Sequence, residues 1–180
     1  NGDEAKCEEL PDGSVVITSR AYGGRYFNIY KYSDVESGAG SWGEAAPSGK
    51  RVKGCVTVEN ACNGGILIIP AVRCADGKKV YLAFQSVPFG PQRANVGIYV
   101  KELPEDVSSM TPEMLAADWN MKYQVSDTWS AYSTMLQNKN KDIIFYYEEN
   151  QTGSTFVYDM IYCKISVEDI TSGLYRAIKR

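Results

Sequence analysis

Apolar and polar residues alternate along many short segments of this chain, and the alternation predicts β-strands almost throughout. Each segment ends at Gly, Asp, Asn, Pro or Lys, which are residues typical of turns. The predicted strands lie in GSVVITSRAY, RYFNIYKY, GGILIIPAVR, KKVYLAFQSV, NVGIYVKEL, WSAYSTMLQ, DIIFYYEE and TFVYDMIYCKI. The intervening ADGKK and NKNKD resemble hairpin turns. The pattern is that of an antiparallel all-β protein.

Two segments depart from the strand pattern. TPEMLAADW predicts a helix, with Thr111 as the N-cap residue and Pro112 in the first turn. SVEDITSG, close to the end of the sequence, predicts one more helical turn. Because no low-complexity or linker segment divides the chain, we expect residues 1–180 to belong to one domain.

Regularly spaced short strands are compatible with a barrel, a sandwich or propeller blades. The segment from Ser33 to Trp42 contains Ser, Asp, Gly and Trp in the order of an Asp-box hairpin, with a stretched spacing. A blade takes roughly 40 to 50 residues, so the chain has room for about three or four blades. A closed ring usually needs more blades, and the ends of an open one leave unpaired sheet edges. The strand pattern therefore predicts half of a propeller.

The main structural alternative is an eight-stranded barrel that binds a ligand, as in lipocalins. The length and strand number fit, and the GSW triplet at 40–42 is similar to the lipocalin G-x-W motif. In lipocalins, however, that motif lies on the first strand, whereas two strong strands precede it here. The propeller is the favoured prediction.

Composition and charge exclude several classes of function. A net charge of −3 gives no reason to expect nucleic acid as a partner, and no apolar run approaches the roughly 20 residues that span a bilayer. The chain has five cysteines and no histidine, so catalytic triads with a histidine base are excluded. Scattered thiols without histidine predict no metal site. The odd cysteine count predicts mainly buried free thiols, with a Cys55–Cys62 bridge as an alternative.

Five polar side chains at the ends of predicted strands are candidates for chemistry. Taken singly, each has an ordinary explanation: arginines at strand ends are commonly solvated, and a tyrosine inside a strand is commonly packed. Their order along the chain is more informative than any one of them. The candidates are Glu4, Arg20, Arg93, Tyr132 and Glu148.

In that order the sequence resembles the exo-α-sialidases of glycoside hydrolase family 33, which are six-bladed propellers, and most of all those of gut Bacteroidetes. DEAKCEELPDGSVVITSR is similar to the family's N-E-x-x-V-x-E-L-x-D-G-x-x-x-x-N-x-R, with Glu4 and Arg20 at the family spacing. QSVPFGPQRANVGIYVKEL resembles the segment that carries the third active-site arginine, here Arg93. SAYSTMLQNKNKDIIFYYEE resembles the nucleophile segment, with Tyr132 and the later Glu148.

The resemblance implies Tyr132 as the nucleophile and Glu4 as its general base, with no cofactor. Sialic acid carries a carboxylate on its anomeric carbon, so a neutral phenol approaches that carbon without the repulsion that a carboxylate nucleophile would meet. A phenol with a pKa of about 10 needs a base to accept its proton. Arg20 and Arg93 would bind the substrate carboxylate, because guanidinium matches it bidentately. Glu148 would hold a further clamp arginine in place.

In the family, that further arginine and the aspartic acid that serves as acid catalyst come from earlier blades. The sequence, which begins at Asn1 without a signal peptide, therefore resembles the C-terminal half of a sialidase, either processed or part of a longer protein. We expect the isolated chain to have little or no activity. The resemblance implies sialylated glycans or free sialic acid as ligands, an N-terminal half or a second copy as partner, and a secreted, periplasmic or cell-surface location. A non-catalytic glycan- or ligand-binding β-domain is the alternative function.

Overall fold

The computed structural model describes residues 2–151 and 157–178. The described chain is built from short strands, with two short α-helices, α1 (Pro112–Ala116) and α2 (Val167–Ile170), and 3-10 turns at Lys50–Val52 and Val107–Ser109. The strands are β1 (Asp3–Glu9), β2 (Val15–Ala21), β3 (Gly24–Asp34), β4 (Ala39–Trp42), β5 (Ala46–Ser48), β6 (Ile66–Arg73), β7 (Lys79–Pro88), β8 (Val96–Glu102), β9 (Met121–Gln124), β10 (Ser130–Gln137), β11 (Ile143–Glu149), β12 (Asp159–Ile165) and β13 (Tyr175–Ala177).

The described strands form three antiparallel sheets that follow one another along the chain. Sheet A has the order β1-β2-β3-β4, and β5 also pairs with β3. Sheet B has the order β13-β6-β7-β8-β9, so the last strand of the chain returns to sheet B. Sheet C consists of β10-β11-β12. Within each sheet, apart from β5 and the returning β13, strands that follow one another in the chain pair as hairpins, as in propeller blades.

Sheet B lies between the other two sheets and contributes to two hydrophobic cores. Successive side chains of a strand point to opposite faces, and in β7 Ala83 and Val87 enter the core shared with sheet A. Leu82 and Phe84 enter the core shared with sheet C. Both faces of sheet B are therefore buried, which explains the nearly continuous apolar run of β7.

Sheet C buries one face and exposes the other. Met135 and Phe145 pack into the core with sheet B, whereas Tyr146, Met160 and Tyr162 are 40%, 66% and 54% exposed on the opposite face. Tyr146 and Tyr162 are direct cross-strand neighbours, with ring centroids 5.1 Å apart. An apolar sheet face of this kind is typical of a surface that another sheet covers.

The sequence-based prediction of an antiparallel all-β fold is confirmed, and the alternative of a lipocalin-like barrel is wrong, because the described strands form three stacked sheets. The eight strongest alternating segments all contain strands. The last of them begins its strand at Asp159, and its residues 155 and 156 lie outside the described residues. Strands β1, β5, β9 and β13 were not predicted, since they are short or lack alternation of apolar residues.

The predicted local signals are also found. The Thr111 side chain accepts a hydrogen bond from the amide of Met114 and caps α1, and Ser166 caps α2 in the same way. The segment from Ser33 to Trp42 forms the β3–β4 hairpin. In the described part of the chain, no helix is long and apolar enough to cross a membrane.

The five cysteines are free thiols. Cys55 and Cys62 are buried as predicted, and they form no bridge. The prediction of mainly buried thiols is wrong for Cys7 and Cys74, which are exposed, because Cys7 lies on β1 and Cys74 lies in a turn.

Candidate active site

An irregularity in β1 places the first candidate residue. Asp3 pairs with Arg20 but Lys6 pairs with Thr18, so β1 has one residue more than β2 over this interval. Such a β-bulge redirects a side chain that a regular strand would alternate. Glu4 lies in it with a φ of 48°, in the left-handed region that is costly for a residue with a side chain. Its amide donates a 2.9 Å hydrogen bond to the Asp3 side chain, which stabilises this conformation.

A second bulge places Tyr132. The pairing of β10 with β11 changes register between Ser130 and Ser133, so Tyr132 also lies in an irregular stretch at the start of its strand. The amide of Tyr132 donates a 3.3 Å hydrogen bond to Oε2 of Glu148 on β11. Both candidates for proton transfer therefore lie at bulges, which are common beside active sites.

The two bulges bring Glu4 and Tyr132 together although 128 residues separate them along the chain. The Tyr132 hydroxyl donates a hydrogen bond of 2.6 Å to Oε1 of Glu4. Oε2 of the same carboxylate accepts a 3.1 Å hydrogen bond from Nη1 of Arg20. The carboxylate thus bridges the phenol and the guanidinium, within the reach that a general base requires.

Arg20 connects all members of this group. Its Nη1 lies 3.4 Å from the Tyr132 hydroxyl oxygen, and its Nη2 forms a 3.1 Å ion pair with Oδ2 of Asp3. Asp3 was not singled out in the sequence, because an acidic residue near a chain end has no distinguishing pattern. In the structure it contacts both the backbone of Glu4 and the side chain of Arg20.

Arg93 approaches Tyr132 from a different sheet. It lies in the loop between β7 and β8, and its Cζ is 5.2 Å from the centroid of the Tyr132 ring. This distance is within the range of a cation–π contact. Among the described residues Arg93 forms no ion pair with a carboxylate, which leaves its guanidinium available for an anion.

The pKa of the Tyr132 phenol is raised by the hydrogen bond to Glu4, by burial and by the charge of the same carboxylate. The positive charges of Arg93 and Arg20 oppose the shift without cancelling it. Tyr132 is therefore a neutral phenol at neutral pH, with its proton directed at a carboxylate oxygen. This is the state that a base-activated nucleophile requires before attack.

Beneath Arg20 lies a buried cation that the sequence analysis overlooked. Arg25 is 1% exposed and is the cross-strand partner of Arg20 on β3. It donates to Oγ1 of Thr18 at 3.1 Å and to the carbonyl of Cys62 at 2.8 Å. Burial lowers its pKa to about 10. No sequence signal predicts its burial, since β3 also carries a lysine and an aspartate and charged side chains are rarely buried.

Glu148 was expected to hold a further clamp arginine. In the described part of the chain its carboxylate accepts from the amide of Tyr132 and forms no ion pair, and the arginine it was expected to hold is one that the family resemblance assigns to earlier blades. A cavity of about 190 Å³ opens beside it, lined by Lys6, Asn63, Tyr132, Ser133, Thr134, Tyr146, Glu148 and Met160. Among the described residues no cluster of three or more His, Cys, Asp or Glu side chains is arranged to hold a metal ion.

Comparison with solved structures identifies the architecture. The intramolecular trans-sialidase from Ruminococcus gnavus, in complex with oseltamivir carboxylate, superposes with a TM-score of 0.65 over 93% of this chain at 20% identity. The leech intramolecular trans-sialidase complexed with 2,7-anhydro-Neu5Ac gives a TM-score of 0.66 over 94% of the chain at 21% identity. The fold is that of a sialidase propeller.

A third sialidase structure agrees. The NanB sialidase from Streptococcus pneumoniae has a TM-score of 0.63 over 92% of the chain at 20% identity. The chain spans 33%, 24% and 23% of these three structures, so it corresponds to part of a sialidase. The predicted fold class, half of a six-bladed sialidase propeller, is confirmed. At the level of sequence, no known protein family and no curated protein matches the chain.

Proposed function

We propose that this chain carries the nucleophile side of a retaining exo-α-sialidase active site of glycoside hydrolase family 33, Bacteroidetes type. The observation that carries the proposal is the 2.6 Å hydrogen bond from the Tyr132 hydroxyl to Glu4. A phenol and a carboxylate in this geometry, next to two arginines, are suited to attack on an anionic sugar. The sialidase fold of the chain supports the same conclusion.

In the proposed first step, Oη of Tyr132 forms a bond to the anomeric carbon while the bond from that carbon to the leaving oxygen breaks. The phenolic proton passes to Oε1 of Glu4, which it already approaches. The leaving oxygen takes a proton from a general acid. In the second step water attacks the same carbon and gives a proton to the conjugate base of the general acid, while the bond to Oη of Tyr132 breaks and Glu4 returns its proton to the phenolate. Sialic acid is released with retained configuration.

Arg20 and Arg93 are proposed to bind the sialic acid carboxylate. Arg93 has no carboxylate partner in the described part of the chain, whereas Arg20 is already engaged by Glu4 and Asp3. The substrate carboxylate would therefore pair first with Arg93 and exchange with the exposed Asp3 at Arg20. A bidentate guanidinium contact orients the sugar for attack as well as binding it.

The general acid and a third clamp arginine are proposed to come from other blades of the same propeller. In this proposal residues 1–180 form the C-terminal part of the propeller domain, and Glu148 faces the additional arginine from beside the amide of Tyr132. The uncovered apolar face of sheet C is the surface against which a further blade would pack. We place the assembled enzyme outside the cytoplasm, where sialylated glycans occur.

A fluorinated sialosyl fluoride tests the nucleophile without the missing acid, since fluoride leaves without protonation. The reagent should form a covalent adduct with the chain, and peptide mapping should locate it at Tyr132. Tyr132→Phe should remove the adduct, while the control Tyr162→Phe, on the exposed face of β12, should leave it unchanged. No adduct on the wild-type chain at saturating reagent, or an adduct on another residue, would overturn the proposal.

Activity of the isolated chain is a separate test. We expect little or no release of the fluorophore from a fluorogenic sialoside, because this leaving group depends on the acid and on a complete clamp. Strong release by the chain alone would show that its own residues complete the site. Product analysis of the assembled enzyme would separate hydrolysis, which releases free sialic acid, from transfer, because both pass through the same tyrosyl intermediate.

A further inference from the structure

The segment between β5 and β6 connects the two arginine-bearing parts of the site. At one end Gly23, in the turn that follows Arg20, donates its amide to the carbonyl of Asn60 at 3.0 Å. At the other end the segment lies against the β7–β8 loop that contains Arg93. Asn60 is at the centre of both contacts and is 5% exposed.

The side-chain amide of Asn60 lies within hydrogen-bond distance of three carbonyl oxygens. It is 2.8 Å from the carbonyl of Gln92, the residue directly before Arg93, and 3.4 Å from that of Pro88. Within its own segment it is 3.1 Å from the carbonyl of Val58. One buried NH2 group therefore joins the start and the middle of the Arg93 loop.

The loop needs this support because its backbone is irregular. Gln92 has a φ of 55°, in the left-handed region that a side chain disfavours. The amide of Gln92 donates to the carbonyl of Val58 at 2.9 Å, so Asn60 and Val58 together hold both sides of this residue. On the opposite side of the loop, the carbonyl of Arg93 accepts from the amide of Ser130 at 3.0 Å.

The other half of the Asn60 side chain shows why an amide donor is present. Its Oδ1 is buried and has no hydrogen-bond partner among the described residues. An unpaired buried acceptor is destabilising, so the donor contacts to Gln92 and Pro88 are what the residue contributes. A carboxylate or a small apolar side chain at this position would not provide them.

We propose that Asn60 is a positioning residue that holds Arg93 over the ring of Tyr132 and fixes its place relative to Arg20. The contacts to Gln92 and Gly23 define the sheet A side of the Arg93 loop, and the contact from Ser130 defines the sheet C side. The importance of this placement for carboxylate binding rests on the proposed function. The placement of Arg93 by Asn60 does not depend on the proposed function.

The test uses NMR of the arginine side chains and needs no sugar. Because Arg93 lies 5.2 Å from the ring centroid, its side-chain signals carry a ring-current shift from Tyr132. Tyr132→Leu provides the signal position without the ring, and Arg93→Lys provides the assignment. In Asn60→Ala we expect Arg93 to lose at least half of the ring-current shift. Asn60→Asp, which places a carboxylate oxygen against the carbonyl of Gln92, should do the same.

Two controls separate positioning from general destabilisation. Asn120→Ala removes an exposed amide outside the site, and Leu115→Ala removes buried volume from the core shared by sheets A and B, at a residue of α1 rather than of the loop. Both should leave the Arg93 signals at their wild-type positions. If Asn60→Ala does not fold, Asn60→Ser, which keeps a shorter donor, carries the test with a smaller expected loss.

Unchanged Arg93 signals in a folded Asn60 variant would overturn the inference, as would an equal change in Leu115→Ala. The rate of adduct formation at Tyr132 provides a second readout. A lost ring-current shift with an unaltered labelling rate would support the positioning role of Asn60 and contradict the role of Arg93 in sugar binding.

Discussion

At the residue scale, the informative feature is a phenol whose proton is directed at a carboxylate. Glu4 raises the pKa of Tyr132 through a hydrogen bond and through its charge, while Arg93 and Arg20 act in the opposite direction. The net rise in pKa keeps the proton on Tyr132. The 2.6 Å hydrogen bond makes Glu4 the nearest acceptor of that proton. When a substrate carboxylate binds the arginines, their charges lower the pKa of Tyr132 less. Removal of the phenolic proton then depends more on Glu4.

Replacement of Glu4 by Gln should lower the pKa of Tyr132 relative to the wild type. The charge that favours the neutral phenol is removed, and the two arginine charges that favour tyrosinate remain. Burial continues to raise the pKa in both proteins, so the expected result is a lower pKa of Tyr132 in the variant than in the wild type. The titration can be followed by carbon NMR of labelled tyrosine rings, with Tyr132→Phe as the assignment. An unchanged or higher pKa in Glu4→Gln would contradict the electrostatic assignment of Glu4.

At the element scale, the short strand β13 depends on one polar cluster. Glu102 at the end of β8 accepts hydrogen bonds from Arg73 on β6 and, at 2.8 Å, from the hydroxyl of Tyr175 on β13. The contact of Arg73 with Asp76 extends the cluster into the following turn. The cluster therefore joins three strands of sheet B at one end of that sheet.

Glu102 should contribute to stability in a pH-dependent way. The hydrogen bond from Arg73 lowers the pKa of Glu102, although partial burial opposes the shift. A lowered folded-state pKa means that the contribution is present above the ordinary value of about 4.3 and is lost as the pH falls through the folded value. Glu102→Gln should therefore reduce the free energy of unfolding at pH 7, by about 1 to 2 kcal/mol, and by much less in strong acid.

Urea denaturation at pH 7 and at acidic pH measures this difference. Glu105→Gln is a suitable control, because Glu105 lies close by in sequence and pairs only with the exposed Lys78 among the described residues. An equal loss of unfolding free energy at both pH values would show that Glu102 stabilises the fold by packing rather than by its charge.

The alternation of apolar and polar residues predicted most of the strands. The site residues were predicted only from the resemblance to a known family. Strands such as β7 and β11 are recognisable because burial requires apolar residues at every second position or throughout. Strand β1 alternates only between exposed and half-buried residues, so it has too few apolar residues for its sequence to predict a strand. The bulges at Glu4 and Tyr132 have no sequence signature, since an additional residue in one strand is defined only by its partner strand.

Asn60 and Arg25 show a further limit of sequence reasoning. Both act through contacts with backbone carbonyls that are distant in the chain, at Gln92 and Cys62. Every residue type has the same backbone carbonyl, so no pattern of side chains in the sequence predicts such a contact. The ordered set from Glu4 to Glu148 was found because a known family arranges these residue types in that order.

At the scale of the whole molecule, the stack of three sheets has two ends. Sheet B is covered on both faces, whereas sheet C leaves Leu136, Tyr146, Met160 and Tyr162 exposed on one side. The outer edge of β12 has no neighbouring strand among the described residues. Exposed apolar faces and open edges favour association.

We expect the chain to associate with itself when no other blade is supplied. Sedimentation velocity should show a concentration-dependent increase in mass, and Tyr162→Lys should reduce it by placing a charge on the exposed face of sheet C. The control Val35→Lys introduces the same charge in the exposed β3–β4 turn, at a residue that is 77% exposed. A wild-type chain that remains monomeric at all concentrations would contradict this expectation.

The bulge at Glu4 has an evolutionary consequence. Deleting one residue from the start of β1 would restore a regular ladder with β2 and relieve a left-handed backbone, while turning the carboxylate away from Tyr132. A single in-frame deletion could thus produce a descendant that folds at least as well and has lost its base. Selection for stability alone would favour that descendant, so the irregular start of β1 persists only while something else maintains it.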